Sequence, residues 1–132
     1  QAYNLMGAAW AGIAKYQVRR GVDPGPDLAR AVAAYEQALD RNSAYALAIN
    51  NIGEAHLIRA DYQLARGEDP AAELAQALAT LQRVLTVNHG FGEEVFNNTA
   101  QAHLLAARRE MLAAGDPGPH LAEARAASRR AL

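Results

Sequence analysis

Small and apolar residues open the chain at Tyr3, Met6, Gly7, Trp10 and Ala14, a spacing of three and four that winds one stripe down a helix. The stripe returns as Ile49, Ile52, Gly53, His56 and Ala60, and again as Phe96, Thr99, Ala100, His103 and Ala107. A second stripe, Leu28, Ala31, Tyr35, Ala38 and Leu39, follows the first. Between the two, Gly21 ends the first helix, as Gly67 and Gly115 do later, because glycine takes the left-handed conformation of a helix C-terminus at little cost. Asp23-Pro24, Asp69-Pro70 and Asp116-Pro117 then restart a helix: the carboxylate caps free backbone N–H groups and proline presets the first turn. The pattern predicts first helices over 1–20, 44–66 and 92–114, and second helices over 24–41, 70–87 and 117–132.

The recurrence has one period. Asn4, Asn50 and Asn97 open equivalent segments 46 and 47 residues apart, and Ala31–Leu39 returns as Ala77–Leu85 and Ala124–Leu132. The chain therefore reads as one all-α repeat domain over 1–132, with units at about 1–43, 44–90 and 91–132. A lone hairpin leaves one face bare, so three helix–turn–helix units are expected to stack and cover one another. Abundant alanine lets their axes approach, and Gly53 is expected where two helices cross closely. Asn42-Ser43 and Asn88-His89-Gly90 join the units. The extra residue of the longer period is expected in the second of these turns, near Gly92.

These residues resemble the tetratricopeptide repeat (TPR) family. Unit one supplies Tyr3, Met6-Gly7, Trp10, Ala31, Tyr35 and Ala38; unit two supplies Ile49, Ile52-Gly53, His56, Ala77, Leu81 and Val84. Unit three is the poorest match, with Phe96, Thr99-Ala100, His103, Ala124, Ser128 and Ala131. The resemblance implies three TPR-like hairpins in a right-handed α-solenoid. The common unit has about 34 residues, so each unit here is longer by about a dozen, placed around the Gly-Val-Asp-Pro turn. In this the chain is similar to the long repeats of some bacterial serine/threonine kinases and other multidomain signalling proteins, although it carries no kinase motif.

The family resemblance also implies a function: non-catalytic binding of a peptide or protein surface in a concave groove lined by the first helices. The positions that map to the groove are Asn4, Ala8, Ala11 and Gly12, then Asn50, Glu54, Leu57 and Ile58, then Asn97, Gln101, Leu104 and Leu105. Asn4, Asn50 and Asn97 form a ladder at the repeat spacing, and an amide can pair with a peptide backbone without reading its sequence. The same ladder could instead bond to the neighbouring hairpin and fix its angle, with Asn51 and Asn98 one residue later packing on the preceding unit. Some grooves of this family clamp a terminal carboxylate with lysine and arginine; the mapped positions here lack such bases. Glu54 is the one charge among them, and leucine and isoleucine add apolar surface, so an apolar or mildly basic segment fits better than an acidic tail.

Composition narrows the rest. Thirteen basic and 14 acidic residues give a formal net charge of −1, so no global field favours nucleic acid. No apolar run approaches a membrane span, so no membrane insertion is expected. The chain has no cysteine, which removes thiolate chemistry and leaves the compartment open. His56 and His103 share the register of Trp10, a core position, so packed histidines are expected there rather than metal ligands. No cofactor motif, phosphate loop or catalytic motif appears, and the chain reads as a non-enzyme. Gln1 rather than Met opens it with no signal-like segment behind, which reads as a piece of a longer protein. The rival reading is structural self-association, with copies packing on the uncapped last helix through Leu121, Ala124 and Leu132.

Overall fold

The computed structural model describes residues 2–132. Among them are six helices and no strand: α1 (Ala2–Arg19), α2 (Gly25–Arg41), α3 (Ala46–Ala65), α4 (Ala71–Val87), α5 (Gly92–Leu112) and α6 (Gly118–Ala131). Each falls within two residues of the span that periodicity assigned to it. None is long and apolar enough to cross a membrane. The helices pack first in pairs, α1 on α2, α3 on α4 and α5 on α6. Each second helix then meets the next first helix, α2 on α3 and α4 on α5, while α3 also touches α1 and α5.

The turns inside the pairs share one hydrogen-bonded form. Val22 N–H reaches Gln17 O (2.9 Å) while Gly21 N–H reaches Val18 O (3.0 Å), and Gly21 is left-handed at φ +70°. This nested pair satisfies carbonyls that the helix end leaves free. Glu68 and Gly67 repeat it on Gln63 and Leu64, with Gly67 at φ +75°. In the third pair Gly115 N–H bonds Glu110 O and Ala114 N–H bonds Met111 O, so the left-handed residue is Ala114, at φ +57°. Gly115 therefore does not fill the glycine slot expected of it; it lies one position late. In all three turns proline, not aspartate, is the N-cap residue, and the aspartate one position before it accepts at Oδ1 from the N–H of the helix's first residue: Asp23 from Gly25, Asp69 from Ala71 and Asp116 from Gly118, at 2.8–3.0 Å.

The turns between pairs differ from expectation. Asn42 and Asn88 adopt the same extended conformation, and each accepts at Oδ1 from the N–H two residues on. Four residues separate the helices in both cases, 42–45 and 88–91. The extra residue of the longer period is taken up by α5, which has 21 residues where α3 has 20. A helix absorbs it by starting one residue earlier, and Val95, at the register of buried Ala48, packs in the core beside Ile49, Leu81 and Val84.

The core is thin and falls into three clusters. One cluster joins α1, α2 and α3 through Ala11, Ala14, Leu28, Ala31, Tyr35, Ala55 and Ile58. Its repeat equivalent joins α3, α4 and α5 through Leu57, Ala60, Leu64, Leu74, Ala77, Ala102 and Leu105. Gly7 and Gly53 mark the close crossings. A Cβ at Gly53 would stand 2.9 Å from Leu81 Cδ2, and one at Gly7 only 2.6 Å from Tyr35 Cδ1. Met6, placed in the core stripe by its spacing, is instead 50% exposed, while Tyr3 and Trp10 are half-buried.

Two stability outcomes follow. Ala114→Gly relieves a left-handed alanine and should raise stability by about 1 kcal/mol, read as a higher denaturation midpoint at unchanged slope. Gly53→Leu should lower stability by about 1–3 kcal/mol through overpacking against Leu81. A neutral result would remove Gly53 from the α3–α4 crossing.

Candidate interaction surface

Because α3 touches both α1 and α5, the three first helices lie side by side, whereas no contact joins α2 to α4 or α4 to α6. The side chains that map to a groove fall on this row, but in different states. Asn4 (5% exposed) and Asn50 (4%) are buried. Asn51 Nδ2 donates to Asn4 Oδ1 at 3.1 Å, and Asn98 Nδ2 donates to Asn50 Oδ1 at 3.1 Å. Of the two readings open for the ladder, the geometry selects the bond across hairpins for these two. Asn4 and Asn50 are therefore corrected from groove-facing to inter-hairpin residues, since each is enclosed by the next first helix. Asn97 is exposed.

The apolar positions divide likewise. Leu57, Ile58 and Leu105 are buried between hairpins, and Leu104 is 44% exposed. Leu57 keeps an edge on a shallow depression of about 230 Å³, lined also by Lys15, Glu54, Ile58, Asn98 and Gln101, where α1, α3 and α5 converge. Gln101 is exposed, and Ala8 and Gly12 are exposed on α1. The accessible part of the expected site is thus Glu54, Gln101, Leu104 and Asn97 together with Ala8 and Gly12 on α1, with Leu57 as floor.

Charges on the row come in pairs. Glu54 forms an ion pair with Lys15, and Asp61 one with Arg108 at 3.2 Å. Sequence mapping missed Lys15, Asp61 and Arg108. They share one register position, 46 and 47 residues apart, and a charge at the same phase in every unit was the signal that could have found them. Each pair is partly exposed and contributes about 0–1 kcal/mol, so its main effect is local neutrality. A ligand meets little net charge there. At the turn side, Arg109 clamps Asp69 at 2.6 and 3.1 Å. The Arg109 hydrogen bond and the Ala71 N–H hold the Asp69 carboxyl below the usual carboxylate range.

Three of the four histidines, His56, His103 and His120, pack within hairpins, and His89 lies exposed in the turn between α4 and α5. His56 Nδ1 lies 2.8 Å from Glu73 Oε2, bridging α3 and α4. At the equivalent place in the third hairpin His103 stacks on His120, ring centroids 5.8 Å apart, and His103 Nδ1 is buried without a partner. Burial lowers the His103 pKa below 6.5; Glu123 opposes the shift and His120 adds to it. Among the described residues no three His, Cys, Asp or Glu side chains are placed to hold a metal ion.

Comparison with known proteins adds no relative: no protein-family model, curated protein or solved structure matches this chain.

Asn51→Leu should cost about 1–3 kcal/mol, because it leaves the buried Asn4 carbonyl unpaired; urea denaturation reads this directly. The histidine stack predicts acid sensitivity. His103 has a folded pKa below its unfolded 6.5, so the unfolded chain binds the proton more readily. Stability is then full above pH 6.5 and falls as pH drops through it. Thermal melts at pH 7.5 and 5.5 should show a larger loss for the parent chain than for His103→Gln. Equal losses would assign the acid response to other groups.

Proposed function

We propose that the chain is a non-catalytic protein-interaction module, built as three TPR-like hairpins in a right-handed α-solenoid. Its first helices line the concave side and hold an extended segment of a partner protein. The contact pattern supports the architecture: α1, α3 and α5 touch in series and the second helices do not touch one another, so the row of first helices is the tighter, inner side. The observation that carries the binding reading is the depression where α1, α3 and α5 converge, with Gln101 on its rim and exposed Leu104 on the same helix. Gln101 offers a donor and an acceptor to an extended backbone, and Leu104 offers apolar surface to its side chains.

The ligand preference shifts slightly from that read from sequence. Glu54 is already neutralised by Lys15, so an uncharged segment with spaced apolar side chains fits better than a basic one, and an acidic tail still fits worst. The resemblance to long repeats of multidomain signalling proteins supports a regulatory setting. A second reading, self-association through terminal helices, draws on exposed Leu5 (69%), Met6, Ile13 and Tyr16 on α1 and exposed Leu121 on α6.

A photo-crosslinking residue at Gln101 should capture a partner that one at Gln82, exposed on α4, does not. Leu104→Glu should then weaken that partner about tenfold, near 1.4 kcal/mol, with an unchanged melting temperature. Equal capture at both positions would remove the groove reading, and concentration-dependent sedimentation of the chain alone would favour the second.

A further inference from the structure

The two hairpin junctions inside the chain are built alike. At the first, Asn4 accepts from Asn51 while Ala55 and Ile58 of α3 pack on Ala11 and Leu28. At the second, Asn50 accepts from Asn98 while Ala102 and Leu105 of α5 pack on Leu57 and Leu74. The arriving helix thus carries one face pattern twice: asparagine, alanine four residues on, and isoleucine or leucine seven residues on. The receiving hairpin supplies a buried amide and aliphatic groups from both of its helices.

The third hairpin repeats the receiving surface at the same register. Asn97 follows Asn4 and Asn50, Leu104 follows Ala11 and Leu57, Met111 follows Val18 and Leu64, and Leu121 follows Leu28 and Leu74. All four are exposed here, whereas the equivalents are buried or half-buried. A second copy of this chain does not supply the arriving pattern. Its α1 would bring Leu5, Ala9 and Gly12 to the three positions. Leu5 sets carbon against the Asn97 amide and would bury it without a partner, which is unfavourable. Gly12 leaves empty the volume that Ile58 and Leu105 fill at the internal junctions.

We propose that Asn97, Leu104, Met111 and Leu121 form a docking surface for a helical hairpin whose first helix presents Asn-x-x-x-Ala-x-x-Leu or Ile, and that the surface discriminates against a second copy of this chain. It continues the series of the two internal junctions, with the asparagine amide as the selective contact and the aliphatic groups as cover. The surface shares Asn97 and Leu104 with the candidate groove, so a docked hairpin would cover that edge of it, whereas Met111 and Leu121 belong to the docking surface alone.

The test appends a fourth hairpin in register, a copy of residues 86–132 placed after Leu132, so that the copy of Asn98 faces Asn97. A matched extension carries leucine in place of that asparagine. Asn97→Ala should leave the melting temperature of the original chain unchanged, because Asn97 is exposed there. In the asparagine-bearing extension it should lower the melting temperature by about 2–4 °C, and in the leucine-bearing extension it should not. Amide exchange along α6 should slow more with the asparagine extension than with the leucine one. A leucine extension that melts as high as the asparagine extension would overturn the amide selection. So would head-to-tail oligomers of the original chain that Leu5→Asp and Leu121→Asp each disperse.

Discussion

Stacking in this chain depends on two buried amide pairs, Asn51 with Asn4 and Asn98 with Asn50. The surfaces around them are mostly alanine and leucine, and contacts between such surfaces change little when one helix slides or rotates on another. An amide is different. Shifted by one residue it leaves the buried Asn4 or Asn50 side chain without its partner, which costs about 1–3 kcal/mol, whereas the net contribution of the bond once made is smaller. The pairs therefore set register more than they add stability, as a single polar residue does in an apolar helical seam.

Close approach of the helices inside each hairpin is a second constraint, and it is met by complementary volumes. Gly7 lies under Tyr35 and Gly53 under Leu81. The same register in the third hairpin holds Ala100 and Ser128, a larger residue on the first helix and a smaller one on the second. Burial and then the Glu54 charge push the Tyr35 hydroxyl up to about 12, so it remains neutral within the core. At the turn side one aspartate reaches beyond its own helix. Asp69 accepts from the first N–H of α4 and also from Arg109 of α5, which ties the turn of one hairpin to the first helix of the next.

Much of this was legible in the sequence, and the misses have physical causes. Periodicity placed all six helices because glycine, aspartate and proline act through local backbone geometry, which needs no tertiary context. The glycine rule failed only at the third turn, where the repeat register puts Ala114 in the left-handed slot and Gly115 one position later. The groove was less legible. A first helix here packs against its own partner and against the hairpins on either side, so a face that is open in one hairpin is shut in the stack. Asn4, Asn50 and Leu57 were lost to that effect, while Gln101 is exposed as Ala8 is at the same register, and Leu104 is exposed where its equivalents Ala11 and Leu57 are covered by the next first helix. Met6 is exposed, whereas Ile52 and Thr99 at the same register are half-buried in the second and third hairpins. Lys15, Asp61 and Arg108 lie outside the mapped positions, and their pairing across helices depends on the stacking angle.

The stack also grades its own stability. Each hairpin touches only its neighbours, so the energy divides into hairpin and junction contributions. The central helix α3 buries ten residues and takes part in both junctions, while α6 buries only Ala124 and Ala127. The third hairpin also holds the unpartnered His103 nitrogen and the left-handed Ala114. Local opening should therefore begin at α6, and it reaches the rest of the molecule only through α5. That same α5 carries Gln101 and Leu104. The accessible half of the candidate groove is thus mounted on the hairpin with the thinnest core, and whatever covers α6 also steadies the surface that would hold a ligand.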